Sequence, residues 1–398
     1  MLNAAPERRI LIVAEALGYG GTESHLVTVL PRLAEAGLSI AVFCLADRGP
    51  RAVELEQAGV RVLAASRLAN RREKPLLYPL QAGLDCSALY AFARQWRPQV
   101  AHFFLPGPYL LGTPVAVAAQ IPIKVMSRRS LAHYQRNWRG ARHVERLLHS
   151  RMTAIVGNCN AILRELMDEG VPEAKLRLIY NGIEPAGRAQ DKREARAALG
   201  LDADALIGVV VANLIAYKGH RDLIEALALA AAKLPPAWQV LCVGADNDLR
   251  PELEALAAAK GLAGNLRFLG QRFDVGRLLE AADFGVLPSR ANEGFSNAIL
   301  ESMRAGLPMV VTDVGGNAEA VVDGRTGFVV PPADSPALAE ALLRVAEDPA
   351  LRRKLGEAGR ERVTTHFTLD ACAAKYRALY DELFASSSER ATTRAANS

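Results

Sequence analysis

RANEGFSNAILESMRAGLP, residues 290–308, is the stretch that decides the fold. It lies between two short apolar runs, residues 284–287 and 309–311, and each run is typical of a buried strand. Between the runs the pattern predicts a short helix, because Ser296 or Asn297 can cap its start and a glycine and a proline can end it. The stretch therefore predicts a strand–helix–strand unit of an open α/β sheet.

Two acidic residues belong to this unit. Glu293 is expected in the loop after the first strand, and Glu301 about one turn into the helix. In open α/β sheets, ligands bind in the crevice outside the carboxyl ends of the strands. The N–H groups and the dipole of a helix start suit a phosphate, while ionised carboxylates accept hydrogen bonds from hydroxyl groups. The pattern indicates a nucleotide-sugar site, and the alternative is two solvated acids, which is the usual case for an arbitrary pair.

The stretch resembles the Glu-x7-Glu motif of the retaining family-4 glycosyltransferases in its Glu-Gly-Phe start, its Asn-Ala and Leu-Glu pairs and its Ala-Gly-x-Pro end. The resemblance extends over nearly the whole chain and is strongest over residues 209–330. It implies the GT-B fold, an α/β architecture of two Rossmann-like domains that face each other across a cleft. It also implies a retaining, metal-independent hexosyltransferase that moves a sugar from a nucleoside diphosphate sugar to an acceptor hydroxyl, in cell-surface polysaccharide or glycolipid synthesis.

The resemblance assigns roles to individual residues. Glu293 would orient the hydroxyl groups of the donor sugar, and Glu301 would hold the ribose hydroxyls. Lys218, helped by Asn213, would stabilise the departing diphosphate. The remaining donor-binding positions are the backbone N–H groups of Phe295, Ser296 and Asn297, which would bind phosphate, and Gly20 and Gly21, which would close over the donor.

The lysine has a physical reason to matter. The apolar run 207–214 predicts a buried strand, and Lys218 follows its end. A charge-assisted contact to a phosphate is worth about 1.5–3 kcal/mol, against about 0.3–1 kcal/mol for a helix dipole. Lys218 is therefore expected to dominate leaving-group stabilisation. In the family an arginine precedes this lysine by five residues, and here Asn213 replaces it, which can donate hydrogen bonds but carries no charge.

The start of the chain predicts the opening of a Rossmann-like domain. A strand over residues 9–14 leads into a glycine-containing loop, then into a helix for which Thr22 is a plausible N-cap and which Pro31 should kink or end. The loop does not have the G-x-G-x-x-G spacing of a dinucleotide site, although Asp47 lies near the end of the next strand. A glycine pair lets backbone N–H groups approach a bulky ligand, and a tight turn without a ligand is the alternative.

The acceptor side is marked by Arg128 and Arg129, which follow a predicted strand ending at residue 126. In many relatives a histidine stands in this region, where this chain has Ser127 and Arg128, and neither His102 nor His133 matches it. The basic segment 134–148 follows. It has three interpretations: a solvated helical face, a surface for anionic lipid or a lipid-diphosphate acceptor, and a nucleic-acid site, for which no motif is present.

Length and composition limit the class of protein. The 398 residues predict two domains, and about half of them are hydrophobic. No secretory leader or membrane span is predicted, and five cysteines without metal-ligand spacing indicate a reducing, cytoplasmic location, with peripheral association at the inner face of the membrane left open. Residues 1–185 hold 23 Lys plus Arg against 15 Asp plus Glu, so the net positive charge belongs to the first half. No cofactor or metal is expected beyond the nucleoside diphosphate sugar as co-substrate.

The predicted domains follow from these elements. The first domain covers residues 1–183, a linker covers 184–204, and the nucleotide-sugar-binding domain covers 205–368. A helix over 369–385 is expected to return to the first domain, and 386–398 to form a flexible tail. In the family the loop after the strand that precedes Arg272 lies near the nucleotide base, so this arginine is a donor contact or a plain surface residue.

Two further functions stay open. A nucleotide-sugar 2-epimerase-like enzyme would share the architecture and the ligand, and would turn over nucleotide-sugar without an acceptor. A non-catalytic nucleotide-sugar binder, suggested by Asn213, would bind the donor without transfer or hydrolysis.

Overall fold

The structure, a computed structural model, describes residues 7–65, 78–132, 135, 140–185 and 191–396. It divides into two compact units, the first made of Met1–Gly182 with Leu369–Ser398 and the second of Ile183–Thr368. The boundary between Gly182 and Ile183 lies next to residue 183, where we predict the end of the first domain.

The elements are numbered in chain order. The strands are β1 Arg9–Ala14, β2 Ser39–Cys44, β3 Arg61–Ala64, β4 Val100–Phe104, β5 Ile123–Arg128, β6 Ala154–Gly157, β7 Leu176–Leu178, β8 Leu206–Val211, β9 Trp238–Val243, β10 Leu266–Gly270, β11 Phe284–Leu287, β12 Met309–Thr312 and β13 Gly327–Val330. The helices are α1 Gly21–Glu35, α2 Ala52–Gln57, α3 Tyr78–Trp96, α4 Pro106–Ala118, α5 Ala141–Arg151, α6 Asn160–Asp168, α7 Lys192–Ala198, α8 His220–Ala230, α9 Arg250–Ala259, α10 Val275–Ala281, α11 Asn297–Arg304, α12 Asn317–Ala320, α13 Ser335–Glu347, α14 Pro349–His366 and α15 Leu369–Ala396.

The first unit is a parallel sheet in the order β3-β2-β1-β4-β5-β6-β7, with helices on its faces. Its strands read as almost continuous apolar runs, as expected for parallel strands buried on both faces. The last helix, α15, belongs to this unit and packs on α1. Its Tyr376, Leu379, Tyr380 and Leu383 are buried in the same core as the apolar face of α1.

The second unit repeats this architecture with the order β10-β9-β8-β11-β12-β13. The strand order reverses between β8 and β11, which are hydrogen-bonded to each other as parallel strands. The loops that follow these two strands therefore leave the sheet at its switch point, which is where open α/β sheets bind ligands. The prediction of two Rossmann-like α/β domains is confirmed, as is the strand–helix–strand unit around residues 290–308.

Several local expectations need correction. The N-cap of α1 is Gly20 rather than Thr22, and the helix continues through Pro31 to Glu35. The helix α15 runs to Ala396, so the predicted tail is helical over most of its length, because alanine, glutamate and arginine favour a helix and each added residue gains a hydrogen bond. Residues 184–204, for which we expect a linker with a short helix, need no such correction, since they contain α7, which packs on α10 in the second unit. Residues 186–190 lie outside the described part.

Candidate active site

The loops after β8 and β11 are joined closely in the second unit. The backbone N–H of Arg290 donates to the carbonyl oxygen of Tyr217 at 2.7 Å. Gly219 has φ +74°, and a Cβ there would lie 1.8 Å from the carbonyl oxygen of Pro288. Only glycine fits both this backbone conformation and this close approach. The two loops therefore form one surface at the switch point.

Lys218 and Glu293 form an ion pair on this surface. The Nζ of Lys218 lies 2.7 Å from Oε1 of Glu293, and their side chains are 19% and 6% exposed. The hydroxyl of Ser289 donates to the same carboxylate oxygen. A largely buried carboxylate needs such partners, because an unpaired buried charge costs several kcal/mol. The pair predicted from the sequence is thus brought together, and its glutamate is held from two sides.

Ser289 is a site residue that no sequence motif marks. It is fully buried, and its carbonyl oxygen accepts a hydrogen bond from the hydroxyl of Thr312, 2.5 Å away. This contact ties the Glu293 loop to the end of β12. The only sequence signal was a serine two residues after a strand and four residues before the glutamate, which does not distinguish it from an ordinary loop serine.

The loop after β12 supports Glu293 from another side. Gly315 has φ +59°, and a Cβ there would lie 2.2 Å from the carbonyl oxygen of Glu293. The next residue, Gly316, donates its N–H to the carbonyl oxygen of Gly294 at 2.8 Å. The glycine pair at 315–316 therefore lets the two loops lie in backbone contact, which fixes the height of Glu293 above the sheet.

The helix α11 starts beside this carboxylate. Ser296 occupies the N-cap position, as predicted, and its side chain makes no capping hydrogen bond. Phe295 is buried against Phe367, with ring centroids 4.9 Å apart, so the helix start has a packed anchor. Glu301 lies in the second turn, where burial raises the pKa of its carboxyl and Arg304 partly offsets this. The arrangement offers a helix dipole at the start of α11 and a second carboxylate about one turn further along the helix.

Asn213 takes part in a loop contact. It is exposed at the end of β8, and its side-chain oxygen accepts a hydrogen bond from the N–H of Ala245 at 3.0 Å. The amide therefore braces the loop after β9, with its oxygen already engaged. Arg290 is a cation on the neighbouring loop. It pairs through Nε and Nη2 with the buried Asp222 of α8, and its side chain is 45% exposed.

His220, the first residue of α8, is buried and lies two residues after Lys218. Both its ring nitrogens are without a hydrogen-bond partner. Burial and the nearby Lys218 lower the pKa of His220 to about 4. The ring therefore stays neutral at physiological pH and adds no charge.

Arg272, on the loop after β10, pairs with Asp274 through two hydrogen bonds and remains about one-third exposed.

The two glycines predicted to close over the donor lie in the first unit. Gly20 is the N-cap of α1 and Gly21 is its first residue, and both are exposed. A Cβ at Gly20 would lie 2.3 Å from the carboxylate of Glu23, which folds back over the loop. Their part in donor binding stays a prediction.

Arg128 has a structural role, and we do not retain it as an acceptor-binding residue. It is buried at the end of β5, where its guanidinium donates to Glu169 and to Glu145 at 2.6 Å each. His149 lies 2.9 Å from Glu169 in the same group. The ligand atoms of Glu145, His149 and Glu169 lie within 4.8 Å of one another, a spacing that could hold a metal ion. Arg128 already supplies the positive charge there, so the cluster is complete without one.

We expect the ion pairs of this cluster to make the stability of the protein sensitive to acid. Burial alone would raise the pKa of Glu169, but hydrogen bonds from His149 and Arg128 and the charge of Arg128 outweigh it and lower the pKa to about 2. The folded pKa is below the unfolded one, so the stabilisation is complete above about pH 4.5 and is lost as the pH falls towards 2. We expect the wild type to lose about 3 kcal/mol over this window, as measured by urea unfolding at several pH values. Glu169→Gln should be less stable at neutral pH and lack this pH dependence, and an equal dependence in both proteins would contradict the assignment.

A second buried polar group lies in the first unit and was not predicted. His102 contacts the hydroxyls of Tyr380 and Ser127 at 2.7 and 2.8 Å through its two ring nitrogens. Burial, together with Arg129, lowers the pKa of His102 to about 3. A neutral, fully hydrogen-bonded histidine of this kind holds α15 on the sheet and is not a candidate acid or base. His133 lies outside the described residues.

The fold and the site together define a class: a two-unit Rossmann-like protein with a lysine, a helix start and two carboxylates at one switch point is of the GT-B glycosyltransferase type. Comparison with known proteins agrees. Residues 19–186 match the model of Glycosyltransferase Family 4, and residues 191–362 match that of Glycosyl transferases group 1. The chain belongs to glycosyltransferase family 4, and the predicted GT-B fold class is confirmed.

Similar proteins include the lipopolysaccharide core biosynthesis glycosyltransferase LpsE of Rhizobium meliloti, 27% identical over 90% of this chain and 94% of that protein. The D-inositol 3-phosphate glycosyltransferase of Geodermatophilus obscurus is 30% identical over 92% of this chain and 87% of its own. Among solved structures, Anabaena Alr3699/HepE in complex with UDP and glucose has a TM-score of 0.81 at 22% identity, covering 94% of this chain and 100% of that one. The protein is therefore a glycosyltransferase. LpsE and the D-inositol 3-phosphate enzyme both carry transferase names, which favours transfer over the epimerase alternative.

In the part of the chain that the structure describes, no helix combines the length and apolar content needed to cross a bilayer.

Proposed function

We propose that the protein transfers a sugar from a nucleoside diphosphate sugar to an acceptor hydroxyl, with retention of the anomeric configuration. The observation that carries this proposal is the Lys218–Glu293 ion pair, fixed by Ser289 beside the start of α11. Donor binding would exchange partners at this pair. The diphosphate would take over Lys218, and Glu293 would then be free to accept hydrogen bonds from the donor sugar.

The chemistry needs positive charge where the leaving group develops negative charge. The bond between the anomeric carbon and the diphosphate oxygen breaks, and Lys218 with the N–H groups of α11 around Ser296 and Asn297 would stabilise the departing diphosphate. In many enzymes, preorganised charge of this kind accounts for most of the rate enhancement, and it requires no covalent nucleophile. Because the lysine and the helix start can supply the charge, we propose a metal-independent reaction. Glu301 would hold the ribose hydroxyls.

The named relatives support the substrate class. The HepE structure contains UDP and glucose, and LpsE takes its name from lipopolysaccharide core synthesis. On this basis we propose a uridine diphosphate sugar, with a hexose, as the first donor to test. We further propose a role in cell-surface polysaccharide or glycolipid synthesis in the cytoplasm.

A thermal-shift screen tests the donor site. A ligand at 100 times its dissociation constant should stabilise the protein by about 2.7 kcal/mol. We expect nucleoside diphosphates to raise the melting temperature and the matching nucleosides, without phosphate, to have little effect. No shift with any nucleoside diphosphate would contradict the proposal. Binding without transfer or donor hydrolysis would leave the non-catalytic binder.

We also propose peripheral association with an anionic membrane through α5. This helix exposes Leu147 at 72% and Val144 at 37%, with Arg142 and Arg146 also exposed. Apolar side chains between arginines are typical of a helix that lies at a lipid headgroup layer.

Vesicle flotation checks the membrane proposal. We expect the protein to float with vesicles that contain phosphatidylserine at low salt, and to be released as salt screens the contact. Arg146→Glu should weaken flotation, and Arg353→Glu, an exposed arginine of the second unit, should not. Equal flotation of both variants would contradict the assignment to α5.

A further inference from the structure

Arg129 follows β5 and is 9% exposed. Its Nη2 donates to the side-chain oxygen of Asn181 at 2.8 Å, and the hydroxyl of Tyr376 is a second hydrogen-bond partner. Both partners are neutral. Among the described residues, no carboxylate oxygen lies within the 4.0 Å that defines an ion pair with this guanidinium.

The neighbouring Arg128 shows how this chain neutralises a buried arginine. Two buried carboxylates, Glu145 and Glu169, surround Arg128. Arg129 has no such pair, although Glu23 acts on it at longer range. A buried cation without a counter-charge is costly, and burial accordingly lowers the pKa of the Arg129 guanidinium. Of these two adjacent buried arginines, Arg128 is paired with carboxylates and Arg129 is not.

Several buried polar atoms on Arg129 and on residues near it have no hydrogen-bond partner. Its own Nη1 has no hydrogen-bond partner, and the same holds for Oδ1 of Asn158 and Nδ1 of His25. Asn158 connects to the guanidinium because Asn181 accepts from both, at 3.5 and 2.8 Å. Buried polar atoms in native proteins are nearly always satisfied, by protein, water or ligand. The Nη1 of Arg129 is a donor, which an oxyanion would satisfy, whereas Oδ1 of Asn158 is an acceptor and would need a donor such as a hydroxyl of the same ligand.

The position in the fold suits a ligand. Arg129 follows β5 and Asn158 follows β6, so both lie at the carboxyl edge of the first sheet, where open α/β sheets bind ligands. A small cavity of about 10 Å³ is lined by Arg129, Ser127 and Ser130, and also by Leu105 and Pro106. That space accommodates about one water-sized atom, such as a single oxygen of an anionic group.

We propose that Arg129 binds an oxyanion, a phosphate or carboxylate group carried by a substrate of this enzyme, at the carboxyl edge of the first unit. The inference rests on the proposed glycosyl transfer and adds to it that one substrate presents an anionic group to this unit. The Nη1 of Arg129 is the available donor, and Asn181 and Tyr376 orient the guanidinium. Tyr376 belongs to α15, so the C-terminal helix also supports this site.

Stability provides the first test, on a matched pair of adjacent arginines. Arg129→Gln removes an unpaired buried charge, so urea unfolding should show stability equal to or above that of the wild type. Arg128→Gln leaves two buried carboxylates without their cation and should be clearly destabilised. Equal destabilisation of both variants would show that Arg129 is structural, and the proposal would fail.

Binding of inorganic phosphate, measured by calorimetry at constant ionic strength with chloride as the reference, provides the second test. We expect phosphate to bind the wild type and Lys218→Ala, and to bind Arg129→Gln roughly 10- to 100-fold more weakly. Arg129→Lys should recover part of the loss. Undiminished phosphate binding in Arg129→Gln, or its complete loss in Lys218→Ala, would overturn the proposal.

Two further ligands separate the sources of the oxyanion. If Arg129→Gln weakens glucose 6-phosphate and leaves uridine diphosphate unchanged, the oxyanion belongs to the acceptor. If it weakens uridine diphosphate alone, the oxyanion is the donor diphosphate. These measurements need no turnover, so a failure of glycosyl transfer would be recognised separately, by the absence of donor consumption in the wild type.

Discussion

Replacing Lys218 by alanine is expected to lower kcat by about 10²- to 10³-fold, the usual effect of removing one preorganised group that stabilises charge in a transition state. The reason is that Lys218 is the cation paired with Glu293 at the switch point of the second sheet. Binding of the nucleoside diphosphate should weaken as well, because its phosphate loses a charge-assisted contact. Steady-state kinetics with varied donor measures both effects.

Lys260→Ala is the matched control for this variant. Lys260 pairs with Glu225 in the same unit, and both side chains are about one-third exposed. Surface pairs of this kind contribute at most about 1 kcal/mol, and this one joins the residue that follows α9 to α8. Its removal should leave kcat unchanged. Wild-type turnover by Lys218→Ala would refute the role of the lysine.

Glu293→Gln should separate binding from catalysis. The amide keeps the size of the side chain and an oxygen that Ser289 can reach, but it loses the charge that pairs with Lys218. Lys218 is then released for the diphosphate, so nucleoside diphosphate should bind at least as tightly as in the wild type. The donor sugar loses charge-assisted hydrogen bonds, and kcat should fall roughly 10- to 100-fold.

Calorimetry with uridine diphosphate and kinetics with the complete donor test this pair of expectations. Glu301→Gln is the useful comparison, since it should weaken nucleotide binding through the ribose instead. Parallel loss of nucleotide affinity and rate in Glu293→Gln would show that this carboxylate binds the nucleotide, contrary to the proposed role.

The predictions that succeeded rest on local rules. The helix α11 begins after Ser296, which occupies the N-cap position without a side-chain capping bond, and ends before Gly306, which has φ +82°. The residue types favoured at helix ends are properties of a few consecutive residues, so both bounds could be predicted. The alternation of apolar runs and helices also predicted both parallel sheets. Lys218 and Glu293 were each placed after a strand from the sequence; the structure adds that these strands are neighbours and that the two side chains are in contact.

The features that the sequence did not reveal depend on distant residues. Arg128 and Arg129 are adjacent and identical in type, and the carboxylates that make one of them structural come from α5 and from the residue that follows α6. No local pattern tells them apart. The contact of Ser289 with Glu293 and the backbone approach of Gly315 likewise depend on how three loops pack. The orphan atoms around Arg129 are visible only once the chain is folded.

The central claim is that Lys218, Glu293, Glu301 and the start of α11 form a donor site. A crystal structure with bound uridine diphosphate tests it most directly. We expect a phosphate oxygen within hydrogen-bond distance of the Nζ of Lys218 and near the N-terminus of α11, and the ribose hydroxyls on Glu301. The 2.7 Å contact of Lys218 with Glu293 should be replaced by contacts with the ligand. Nucleotide bound elsewhere on the protein, with that ion pair intact, would contradict it.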